Sequence, residues 1–215
     1  MWVSTAKILE TFRKVKQIQE HMQKYCIAPD RAKLSIEDLQ RVIEDMYDLK
    51  IEKREVAFEG SFVRGIVERY ADRARILIRK NQEEDWLRFT AVKELCQIAI
   101  SEKEDWSVDG TKTLENILYE AHLDKLTGGE RSPTDPVPPH PTQSEKLAEM
   151  AAIELMYPYV YRPADLEALA ANKTTHRAIS VHFRAPEYAI GWALSERYHE
   201  MATEFWTTGK LGENK

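Results

Sequence analysis

The sequence predicts an α+β protein, mostly helical, with a short three-stranded sheet packed against a central helix and a helical C-terminal segment. Three observations carry this reading. Apolar residues recur three and four apart over most of the chain, as one buried helix face requires. Between about 56 and 79 the period shortens to two, and β-branched runs alternate with turn formers. Only 8 glycines occur in 215 residues, which disfavours a turn-rich all-β fold. A chain of this length buries one good core, or one core with a small appendage.

The elements follow in order. Residues 3 to 26 place Ile8, Leu9, Phe12, Val15, Ile18, Met22 and Tyr25 on one side of an amphipathic helix, which Ala28-Pro29-Asp30 ends. Ser35 with Asp38 reads as a capping pair for a second helix through Leu39, Val42, Ile43 and Met46. Short strands are expected at Val56-Ala57-Phe58, Gly65 to Tyr70 and Arg75 to Arg79, joined as a meander by turns at Gly60 and Ala71-Asp72. The helical period returns from Glu83 to about Ser101, with Trp86, Phe89, Val92, Leu95, Cys96 and Ala99 apolar. Glu102 to Asp105 reads as a solvated exit, and Thr111 to Leu123 as another helix. Gly128 to Gln143 holds five prolines and two glycines, so an irregular loop is expected there. Ser144 is expected to cap a helix through Met156, and three more helices follow from Pro163 to about Thr207, one starting at Pro186. The organisation is thus an N-terminal helix (1–30), a core (31–127), a proline-rich loop (128–143) and a C-terminal helical part of the same domain (144–210).

Composition excludes several classes. A net charge of −5 with both signs interspersed leaves no polybasic stripe for nucleic acid or membrane. No apolar run approaches the roughly 20 residues that cross a bilayer, and residues 1–7 form no signal core, so a cytoplasmic location is expected. Cys26 and Cys96 lie too far apart in sequence to suggest a disulfide framework and read as free thiols.

The segment Arg88-Phe89-Thr90-Ala91-Val92-Lys93-Glu94-Leu95-Cys96-Gln97 carries the chemistry. In an H-E-x-x-H helix, histidines at i and i+4 reach one Zn²⁺ while the intervening Glu serves as general base. Glu94 keeps the place of that Glu, but Lys93 and Gln97 stand where the histidines would be. An ammonium repels a cation, and a carboxamide is a poor zinc ligand.

On these residues the chain resembles the ImmA/IrrE family of zinc metallopeptidases, whose motif reads R-F-T-x-A-H-E-L-G-H. Two further segments carry the likeness. Glu145 to Pro158 is similar to the family's E-x-x-A-x-x-F-A-A-x-L-L-x-P helix, and Ala178 to Glu187, with Ala189-Ile190 and Ala193-Leu194, resembles its closing helix-turn-helix-like segment. The likeness covers about residues 35 to 195. It implies a gluzincin-like core in which Lys93, Gln97 and Glu145 occupy former metal-ligand positions. With two ligands of three gone and Cys96 replacing the motif's glycine, it implies a degenerate metallopeptidase without metal or catalytic residue, Glu94 being vestigial. Arg88, Thr90 and Cys96 are candidates to line the cleft. The implied partner is a protein, such as a helix-turn-helix repressor of a bacterium or phage, held as an added strand along the sheet edge.

Each position also has a plainer reading. Lys93 can neutralise Glu94 and Glu145 as a buried ion pair that holds the old site together. Cys96 lies on the apolar helix side and reads as core. Two other functions are open on the residues alone. One is an active peptidase with relocated zinc ligands, in which His122 or His140 joins Glu145 around Glu94. The other is a DNA-binding regulator using residues 174–195, although only Arg177 and Arg184 lie nearby to meet phosphates.

Overall fold

The computed structural model describes residues 3–25, 34–58, 63–101 and 140–211. Helix α1 (Thr5–Tyr25) buries Ile8, Thr11, Phe12, Val15 and Ile18, the stripe that its sequence period sets. Helix α2 (Ile36–Tyr47) starts at Ser35, whose side chain accepts from the Asp38 amide at 3.1 Å. It closes at Asp48, which adopts the left-handed conformation at φ 46°. Three strands follow: β1 (Lys50–Val56), β2 (Gly65–Arg69) and β3 (Arg73–Arg79). Helix α3 (Glu84–Ile100) crosses beneath them. After the undescribed stretch come α4 (His140–Met156), a 3₁₀ turn (Tyr159–Tyr161), and α5 (Arg162–Ala170), α6 (His176–Phe183), α7 (Glu187–Ala193) and α8 (Glu196–Thr208).

The α+β class holds, and the structure corrects four details. The first strand lies at Lys50–Val56, not at Val56–Phe58. Only Ile51 of β1 is buried, so a solvated edge strand rich in charge gives almost no apolar alternation to read. The sheet is also mixed and not a meander: its order is β1-β3-β2, with β1 parallel and β2 antiparallel to β3. β3 holds the centre because Ala74, Ile76 and Ile78 form the one strongly apolar face among the three strands. Helix α4 begins at His140, four residues earlier than expected, and Ser144 is buried within it and is no cap. Pro141 falls in the first turn, where its missing N–H costs no helical hydrogen bond. Four helices, not three, follow the 3₁₀ turn, because Arg184 (φ 50°) with Pro186, and then Ser195, break the C-terminal segment more often than its periodicity suggests. The expectations for Gly60, for 102–105, for 111–123 and for most of the proline-rich loop fall outside the described residues, as do Cys26 and His122.

One apolar cluster joins the N- and C-terminal parts. Phe12 of α1 packs on Phe205 with centroids 5.1 Å apart and on Trp206 at 6.5 Å, so the aromatic tail closes the core over the first helix. Behind them lies a fully buried ion pair, Arg162 to Glu154 at 2.8 Å. Tyr198 donates to Glu154 Oε1 and Trp206 Nε1 to Oε2, each at 2.9 Å, while Arg162 also donates to the Tyr157 carbonyl. These bonds tie α4, α5 and α8 to one carboxylate. Among the described residues no helix is long and apolar enough to cross a membrane.

Candidate functional site

Helix α3 is buried on nearly every side from Phe89 onward, and its polar residues are buried with it. Trp86, Thr90, Lys93 and Gln97, spaced by three and four, share one stripe of this helix. β2 lies across that stripe at Gly65. A Cβ there would stand 2.5 Å from Glu94 Oε1 and 2.7 Å from Thr90 Cγ2, so only glycine lets the strand sit this low. On the other side, α4 supplies Glu145 and, one turn on, Glu149.

Lys93 is the centre of the site. Its ammonium donates to Glu145 Oε2 in a short contact and stands 2.9 Å from Glu94 Oε1. The second contact is an ion pair without hydrogen-bond alignment, because both Glu94 oxygens are buried with no hydrogen-bond partner. The three side chains are 15%, 22% and 0% exposed for Lys93, Glu145 and Glu94, so the Lys93–Glu145 pair lies close to the surface and Glu94 is enclosed beneath it. Burial raises the Glu94 carboxyl to about 7; Lys93 opposes that rise and Glu145 adds to it. The Lys93 ammonium is held far above its usual range: the two carboxylates, Glu145 first, overcome an opposing desolvation that is its largest single influence.

The remaining expected residues separate. Gln97 is 9% exposed, and its Oε1 has no hydrogen-bond partner. Thr90 is buried against Gly65 and donates to Gln82 Oε1 at 3.1 Å. Arg88 turns instead to the Leu34 carbonyl, at 2.8 Å, and ties α3 to the start of α2. Cys96 is fully enclosed in the core, and burial, reinforced by Glu94, pushes its thiol pKa far up, which removes the thiolate that nucleophilic or metal chemistry needs. Among the described residues no group of three or more His, Cys, Asp or Glu is placed to hold a metal.

Two features around the site lay beyond sequence reasoning. The first is an aromatic wall: Trp86 stacks on Tyr188 of α7 at 6.0 Å and meets Phe89 edge-on at 5.9 Å. Tyr188 is 51% exposed, and its hydroxyl pKa is raised to about 12 by burial first and then by Glu149. Helix α7 contains no Lys or Arg, and Arg184 before it is paired with Glu84. That segment therefore presents an aromatic and acidic face where a DNA-reading helix would need cations.

The second is the outer edge of β2, which pairs with no other strand among the described residues. The Arg79 amide donates to Arg64 O at 2.8 Å and the Tyr70 amide to Arg73 O at 2.9 Å. Alternation along an antiparallel ladder then turns the N–H and C=O of Gly65 and Val67 away from β3. β1, at the opposite edge, is covered: Gln40 donates to Ile51 O at 3.0 Å, and the Ile51 amide donates to Glu44 at 2.7 Å. The open edge is thus the one beside Lys93, and no residue described here covers it. No family model, no curated protein and no solved structure matches the chain.

Proposed function

We propose that this chain is a catalytically degenerate ImmA/IrrE-like protein, a cytoplasmic pseudo-metallopeptidase that binds a partner protein without cutting it. The observation that carries the reading is the Lys93 ammonium set between Glu94 and Glu145. The residues present do not fit a zinc ion: a cation occupies the place of one ligand, and Gln97 offers a carboxamide at the other. Without a metal to acidify water, Glu94 has no activated nucleophile to generate. What persists is a partly exposed ion pair, an aromatic cluster on the same helix and an edge strand whose outward backbone groups can pair with an extended segment. That mode of docking requires no metal. On the family resemblance, α3 and α4 form the gluzincin-like core, α6 and α7 the helix-turn-helix-like segment, and the partner is a helix-turn-helix repressor of a bacterium or phage.

The test restores the lost ligands. Lys93→His with Gln97→His places imidazoles at i and i+4 beside Glu145, the three protein ligands of an open zinc site. The double variant, loaded with Zn²⁺ and dialysed, is expected to retain about one equivalent, and the parent chain less than about a tenth of one. Circular dichroism of both establishes that the fold survives. A folded double variant that binds no zinc would remove the metallopeptidase frame from positions 93, 97 and 145. Near-stoichiometric metal in the parent chain would instead mean ligands relocated around Glu94 and Glu145, and a working hydrolase.

A further inference from the structure

Arg64 stands at the head of the free edge, immediately before Gly65, and is exposed. Its guanidinium carbon lies 3.3 Å from the centroid of the Trp86 ring. Trp86 is itself held by Tyr188 and Phe89, so the guanidinium rests on a supported ring, and a cation over a ring face keeps its N–H groups for a further acceptor. Several other arginines are occupied: Arg54 holds Glu52, Arg75 holds Glu52 and Glu68, and Arg184 holds Glu84. Among the described residues Arg64 has no ion pair. Partial burial first, and the nearby Arg79 cation second, lower its pKa. Glu149 and Glu83 oppose this from beyond ion-pair distance.

We infer that Arg64 is a specificity-determining residue of the cleft, taking the carboxylate of an aspartate or glutamate in an extended partner segment laid along β2. The inference rests on the docking proposed above. Gly65 and Val67 hold the segment's main chain, so the acidic residue falls at, or just beyond, the position opposite Gly65. A side-chain carboxylate suits the site better than a chain terminus. Terminal carboxylates are captured by converging backbone N–H groups, and here the carbonyl of Arg64 is the acceptor for the Arg79 amide and for Gln82. A basic residue is disfavoured because Arg64 already covers the Trp86 face that would attract it.

The experiment screens a positional library of eight-residue peptides, acetylated and amidated at their ends, against the full chain. Wild type should enrich Asp or Glu at one position. Arg64→Gln should lose that enrichment and bind the selected peptide at least about tenfold more weakly, the scale of one charge-assisted hydrogen-bonded pair. Arg64→Glu should shift the same position towards Lys or Arg. Val67→Pro removes one outward N–H without touching the pairing to β3 and should weaken all peptides alike. Binding without acidic preference, an unchanged preference in Arg64→Gln, or binding only of peptides with a free C-terminal carboxylate would overturn the role of Arg64 and leave edge docking standing. Failure of every peptide, capped or free, to bind wild type would overturn the docking itself, and this inference with it.

Discussion

Lys93→Met tests the ion pair that centres the site, and its cost should depend on pH in a way that can be worked out beforehand. Methionine keeps the length of the lysine stem and deletes the charge. Glu145 is 22% exposed and can turn to water, so the burden falls on Glu94, which is fully enclosed and has no hydrogen-bond donor. Stranding such a carboxylate in its charged form costs about 3–5 kcal/mol, but protonation offers an escape. The Glu94 pKa is raised from 4.5 to about 7 with Lys93 in place, and removing the cation raises it further. Between these two values the folded wild type and variant both hold a proton that the unfolded chain has released. Both therefore lose stability as pH rises, about 1.4 kcal/mol per unit, and the difference between them stays constant. Above about 7 wild-type Glu94 ionises against Lys93 and its loss levels off, whereas the variant keeps its proton and continues to lose stability. The difference should therefore grow by about 3 kcal/mol between pH 6 and pH 9. Urea unfolding of both proteins at pH 6, 7.5 and 9 measures it. A difference that is the same at all three values, or stays within about 0.5 kcal/mol at pH 9, would refute the role given to Lys93.

Two further substitutions probe the frame around the site. Gly65→Ala puts a methyl group 2.5 Å from Glu94 Oε1 and 2.7 Å from Thr90 Cγ2. It should destabilise by about 1–3 kcal/mol in denaturant unfolding and weaken edge docking, because β2 must lift off α3. Glu154→Ala leaves Arg162, itself fully buried, without its carboxylate, and also removes the acceptor of Tyr198 and Trp206. A loss of about 3–5 kcal/mol is expected, read as a large fall in thermal midpoint; a loss under about 1 kcal/mol would mean the cluster relaxes freely.

How much was legible in the sequence follows from the range of each interaction. Helices whose apolar residues repeat every three or four positions announced themselves, and so did the Ser35 cap, because both signals lie within a few residues. The contact of Lys93 with Glu145 spans 52 residues and was foreseen only through the family resemblance, which sets both at former metal-ligand positions. β1 hid because Glu52, Lys53, Arg54 and Glu55 face solvent and leave Ile51 as its one deeply buried residue. The strand order hid as well: sequence neighbours pair by default, and only burial of Ile76 and Ile78 puts β3 between β1 and β2. Arg64 on Trp86 and Arg162 on Glu154 left no local trace, because a cation in sequence does not reveal which ring or carboxylate the fold brings beneath it. An acid inside the run Ala151-Ala152-Ile153-Glu154-Leu155-Met156 was the one hint of a buried partner.

The same geometry bears on why both carboxylates persist where a metal chemistry is, on the proposed reading, absent. Glu94 cannot simply turn outward: β2 lies on it at Gly65, and its own helix is enclosed from Phe89 to Ile100. Any chain that keeps this strand low on this helix must therefore neutralise a charge in a closed space or hold a proton there. Lys93 supplies one positive charge against two carboxylates, and the excess negative charge is divided between Glu145, which reaches solvent, and Glu94, whose pKa burial raises. Such a centre keeps the strand and helix in register, and with them the outward N–H and C=O groups of Gly65 and Val67. Docking along the edge depends on that register and on nothing the ammonium would have to catalyse. On the proposed reading, a cation in place of a metal would preserve a peptide-binding surface while removing the means of cutting what binds there.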